Sequence, residues 1–70
     1  EWSVREEFVR RIGHEQLVVG QASDVRKVAY HVAGEHIFEH SVFEKSLHEL
    51  FEVSRMAMAI RLMNLQLVLA

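Results

Sequence analysis

SVFEKSLHELFEVSRMAMAIRLMNLQLVLA, residues 41–70, is the stretch on which the fold turns. At about 100° per residue, Phe43, Leu47, Leu50 and Phe51 fall on one helical stripe. That stripe runs back in the same phase through Val25, Val28, Ala29, Val32, Ala33, His36 and His40. The opposite face, with Lys27, His31, Glu35, Glu39, Lys45, His48, Glu49 and Glu52, is polar and expected to meet solvent. After Arg55 the pattern doubles. Met58, Leu62, Leu65 and Leu69 continue the first stripe, while Met56, Ile60, Met63 and Leu67 form a second one roughly opposite. A helix apolar on two sides belongs in the centre of a bundle or in an interface. The spacing therefore predicts one helix from about Asp24 to Ala33 and another from about Glu35 to Leu69, with a single rod over 24–70 as the alternative.

Upstream, the punctuation comes from Gly13, Gly20 and Gly34, since the chain has no proline. Ser3 precedes Glu6 by three residues, the spacing at which hydroxyl and carboxylate reciprocally cap the first amides of a helix. Val4, Phe8 and Ile12 then recur every four residues, Glu6 and Glu7 sit near the positive end of the dipole and Arg10 and Arg11 near the negative end. Gly13 is the expected left-handed stop. The Leu17-Val18-Val19 run reads as a short helix rather than a strand, because a lone strand has no mate in this chain. Gly34 either ends a helix or is tolerated at a cost of about 1 kcal/mol. Ser41 with Glu44, and Ser46 with Glu49, repeat the capping spacing and offer a restart.

Seventy residues make at most one domain, taken as 1–70, and a chain of this size buries only about 60% of its unfolded surface. Half the residues are apolar and about a quarter charged, which is globular rather than disordered composition. There is no cysteine, so neither a disulfide nor a thiolate metal site can staple the fold. A formal charge of −2 gives little general attraction for nucleic acid or anionic lipid. The chain begins at Glu1 without a basic, then apolar leader, and reads as a processed or excised piece. The apolar stretch is shorter than the roughly 18 to 20 residues of a membrane span and has Arg61 in its middle. No residue identifies the compartment, for which an intracellular setting is the default reading.

The fold class expected is all-α: a short amphipathic N-terminal helix plus one or two longer helices, completed by oligomerisation or a partner. The function expected is a protein–protein interaction module, scaffold, adaptor or regulatory subunit, most economically a twofold homodimer. Its interface residues would be Phe51, Met58, Leu62 and Leu65 on one side and Ile60, Met63 and Leu67 on the other. Flexible thioethers at Met56, Met58 and Met63 suit an adaptable surface and serve equally as core filler.

Two further readings compete. His36 and His40 lie one turn apart and could face one metal ion or a haem edge, although Ile37 stands where the zinc-protease pattern needs glutamate. As space-filling groups, the same two imidazoles would be bonded to a carboxylate or a partner helix. His14, His31 and His48 read as solvated or boundary residues, with His48 placed to pair with Glu44 and Glu52. Protonating all five histidines would carry the charge from −2 to +3, so imidazoles buried neutral would make association weaken below about pH 6.5. Leu17 to Val32 also has the outline of a helix-turn-helix, with Gly20 at the turn and Arg26 and Lys27 on a recognition helix. The acidic balance argues against it. Enzymatic function has no support: the serines read as caps or helix-surface residues, Glu6 and Glu7 point apart, and no glycine-rich phosphate loop or cofactor motif occurs. Trp2 and Tyr30 read as packing anchors.

Overall fold

The structure, a computed structural model, describes residues 3–39 and 42–70, with side chains at all of these but 38, 39 and 42. It is mostly helical with a few short strands. Helix α1 spans Val4–Ile12, strand β1 Leu17–Val18, helix α2 Ala22–Gly34, strands β2 Ile37–Glu39 and β3 Val42–Glu44, helix α3 Leu47–Leu50, helix α4 Arg55–Asn64 and strand β4 Val68–Leu69.

The N-terminal expectations hold in detail. The Ser3 hydroxyl accepts from the Glu6 amide at 3.1 Å and the Ser3 amide donates to the Glu6 carboxylate at 3.2 Å. Gly13, at φ 85°, closes α1 by donating its amide to the Val9 carbonyl. Helix α2 also forms over the predicted span. Its Ala29 and Ala33 are fully buried, and Val25, Val28 and Val32 pack at the edge of the core. The two alanines let α2 and α4 approach closely, and this pair makes the principal packing of the fold.

The helix expected from Glu35 to Leu69, and with it the single rod, is not formed. Two strands, a four-residue helix, a ten-residue helix and a third strand take its place. The breaks have a common chemistry. After α3, Glu52 adopts φ 56°, the Val53 amide reaches back to the His48 carbonyl, and the Glu52 amide reaches the Glu49 carbonyl. After α4, Gln66 adopts φ 58°, with Leu67 bonded to Leu62 and Gln66 to Met63 in the same pattern. Both are Schellman stops built without the usual glycine. A left-handed conformation costs a non-glycine residue about 1–2 kcal/mol. What offsets it is burial: each stop folds the chain back, and Leu47, Leu67 and Val68 become fully or almost fully buried.

The brief apolar link is corrected as well. Leu17–Val18 is a strand, because it does have a mate, at the far end of the chain. β1 runs parallel to β4 with Leu17 opposite Val68 and Val18 opposite Leu69. The Leu17 and Val19 amides donate to the Leu67 and Leu69 carbonyls at 2.7 and 2.8 Å. Gln16 Nε2 reaches the Gln66 carbonyl, and Arg5 Nη2 the Leu65 carbonyl at the negative end of α4. A helix-turn-helix over Leu17–Val32 therefore lacks its first helix. The second strand pair, β2 with β3, is antiparallel with Phe38 opposite Phe43.

Gly34 ends α2 for a reason that backbone freedom alone does not supply. A Cβ there would sit 2.0 Å from Arg55 Nε, because the Arg55 side chain lies across the glycine. From that seat Arg55 Nε donates to the Tyr30 carbonyl at 2.8 Å and its guanidinium stacks 4.1 Å from the Tyr30 ring centroid.

Candidate functional site

Helix α4 presents two unlike faces. Inward, Met58, Ala59 and Leu62 are buried on the side that packs on α2, in the same core cluster as Phe8 and Val4. Outward, Met56 keeps 43% and Ile60 42% of its surface, and Val53, just before the helix, keeps 41%. Both apolar stripes read from the sequence are present on α4, and among the described residues the one through Met58 and Leu62 is the more fully covered. The outer stripe borders a groove of about 550 Å³. One wall is Ala57, Ile60, Arg61 and Asn64, which recur at the i, i+3, i+4, i+7 spacing of a single helix face. Phe51, Val53 and Met58, with the N-cap Ser3 and Val4 at the start of α1, complete the lining.

The seven predicted interface residues separate accordingly. Ile60 is exposed on the groove and Phe51 is half-buried in its lining. Met63 and Leu65 are half-buried at the core edge. Met58, Leu62 and Leu67 are enclosed by this chain, Met58 at the floor of the groove. Leu67 is the instructive case: on a continuous helix it would share the Ile60 face, but the stop at Gln66 turns it inward. Val53 and Ala57, which the sequence reading passed over, line the groove. The signal for them was the i, i+4, i+7 relation of Val53, Ala57 and Ile60.

Of the predicted metal pair, His40 lies outside the described residues. His36 is partly exposed, stacks on Phe43 with ring centroids 5.0 Å apart, and its Nε2 bonds the Glu49 carboxylate. The Ser46 hydroxyl and amide both donate to the same carboxylate, at 2.8 and 3.3 Å. These bonds, Ser46 first and His36 after, hold Glu49 at a pKa of about 2 against an ordinary 4.5. The group ties the strand pair to α3. It is not a hydrolytic triad, because the carboxylate stands between the serine and the histidine. Among the described residues no three histidine or acidic side chains converge to hold a metal ion.

The other imidazoles depart from the pattern of buried neutral groups. His31 is exposed and paired with Glu35 at 2.8 Å, and His14 faces solvent. His48 does not pair with Glu44 or Glu52; its Nδ1 meets the Val53 carbonyl at 3.2 Å within the Schellman stop. Glu7, read only as a dipole partner, proves to be a buried carboxylate, 3% exposed. It accepts from Arg10 Nε and Nη2 and from Arg11 Nε. Arg10 also bonds Glu44, and its pKa is raised by Glu7 first and Glu44 second. Among the described residues, no helix is long and apolar enough to cross a membrane. No protein family, no curated protein and no solved structure matches this chain.

Proposed function

We propose that this chain is a protein–protein interaction module that pairs with a second copy through the outer face of α4. The observation that carries the reading is the contrast along one ten-residue helix: Leu62 fully enclosed, Ile60 and Met56 more than two-fifths exposed. Removing such apolar surface from water is worth about 25 cal/mol per Å².

The face is complementary to itself. An antiparallel pairing about a twofold axis between Met58 and Ala59 sets Ala57 against Ile60 of the second copy, and Ile60 against its Ala57. Small meets large in both directions, as an isologous contact requires. The same register sets Met56 against the aliphatic stem of Arg61, which covers apolar surface while its guanidinium stays wet. A stable interface takes about 800 Å² from each partner. That is a large part of a surface of 4852 Å² and more than α4 alone supplies over its length of about 15 Å. Pairing on this face is accordingly concentration-dependent, with Phe51, Leu50 and Val53 extending the contact.

Sedimentation equilibrium over about a hundredfold range of concentration tests this. The mass should rise from monomer to dimer, and Ile60→Glu, which alters an exposed position, should hold the chain as a folded monomer. A wild-type chain that stays monomeric throughout, or an Ile60→Glu variant that still dimerises, would overturn it.

A further inference from the structure

On a different part of the molecule, sharing no residue with the α4 groove, a cleft of about 270 Å³ opens between the last turn of α1 and the end of α2. Its apolar wall is Ile12, Val32 and Ile37. Arg10 and Arg11 supply its cationic side, and Glu35 and Glu44 its anionic side.

Arg11 is the unusual member. Its side chain is only 6% exposed, its Nε donates to Glu7 at 2.6 Å, and its Nη1 is buried with no hydrogen-bond partner among the described residues. A buried guanidinium nitrogen without an acceptor is a costly arrangement, which a bound acceptor would relieve. Arg10 has no such need, being bonded to both Glu7 and Glu44.

Charge then narrows the ligand. Arg10 and Arg11 are balanced by Glu7 and Glu44, and Glu35 adds a further negative charge, so a simple anion entering the cleft meets a net negative surrounding. A group carrying both signs does not. Glu44 accepts from Arg10 and Glu35 pairs with exposed His31, and each carboxylate has about four acceptor sites, leaving capacity for an ammonium.

We propose that this cleft binds a small aliphatic zwitterion, a free branched α-amino acid. Its carboxylate would satisfy the Arg11 guanidinium, its ammonium would meet Glu35 and Glu44, and its hydrocarbon side chain would lie on Ile12, Val32 and Ile37. The cleft is just below the lower end of the range of about 300–1,000 Å³ for small-molecule sites, which suits a ligand of a few heavy atoms.

Titrating the ¹⁵N-labelled chain with valine, isovalerate and isobutylamine separates the contributions of carboxylate and ammonium. Valine should give saturable shifts at cleft residues with about millimolar affinity, and each truncated probe should bind at least about tenfold more weakly. Arg11→Lys, which keeps a cation for Glu7 and removes Nη1, should lower valine affinity by about tenfold or more. The double variant Glu35→Gln, Glu44→Gln leaves Arg11 in place, and serves if Arg11→Lys fails to fold. In it, valine should bind no better than isovalerate. Equal binding of isovalerate and valine to the unmodified chain, valine binding unaltered by the double variant, or no saturable shift from any probe would overturn the proposal.

Discussion

Leu62→Ala and Ile60→Ala, compared side by side, test the division of α4 into an enclosed and an open face. Both positions are equally apolar in sequence and lie two residues apart. Leu62 has no exposed surface, so its truncation removes buried methyl groups and leaves a cavity, at a cost of about 3–5 kcal/mol. Ile60 retains 42% of its surface, so little more than half of the burial free energy of an isoleucine, about 1–2 kcal/mol, is at stake. The better helix propensity of alanine returns a few tenths of a kcal/mol. A chain of this length has a total stability of about 4–10 kcal/mol. Leu62→Ala thus removes a large fraction of it, Ile60→Ala a small one, and the gap of about 2–3 kcal/mol corresponds to a difference in Tm of about 10–20 °C. Circular dichroism melts at high dilution, where pairing between copies contributes nothing, give the comparison directly. Equal losses of Tm for the two variants at high dilution would refute the assignment of Ile60 to an open face.

Gly34→Ala should fail to deliver the gain of about 1 kcal/mol that helix propensity promises, because its Cβ displaces Arg55 from Tyr30. In an Arg55→Ala background that gain should appear, so a double-mutant cycle with no coupling would contradict the contact. Glu49 has a folded pKa of about 2, below its ordinary 4.5, so its contribution is complete above pH 4.5 and is lost as pH falls toward 2. Glu49→Gln should flatten that part of an acid denaturation profile; an unchanged profile would count against the Ser46 and His36 bonds. Glu52→Gly and Gln66→Gly relieve left-handed backbone at two Schellman stops and should each stabilise by up to about 1 kcal/mol, measured in urea. Destabilisation by both would show that the stops are not where the chain turns.

The sequence was legible wherever a residue announces its conformation by its own chemistry. Ser3 with Glu6 and Gly13 bound α1, and the Val25, Val28, Ala29, Val32 and Ala33 spacing marks α2. After Glu35 the helix breaks carry no glycine or proline, so the apolar periodicity runs through them unmarked. Glu52 and Gln66 are ordinary helix formers, and nothing local says that they turn left-handed. Ser46 with Glu49 and Ser54 were the available signals: the first starts α3, and the second caps α4 by accepting from the Ala57 amide. The candidate surface was half legible. Its apolar spacing is visible in residues 53–60, but whether Leu67 belongs to it depends on Gln66.

Periodicity and capping chemistry, which act within one or two turns, suffice to specify α1, α2 and an α4 with two apolar faces. They cannot say which face is covered, because covering is done by residues distant in the chain. Leu17 meets Val68, Arg55 meets Gly34 and Tyr30, and Arg5 meets Leu65. In the packed fold Glu52 and Gln66 are left-handed, Leu62 and Leu67 are enclosed, and Ile60 and Met56 stay at the surface.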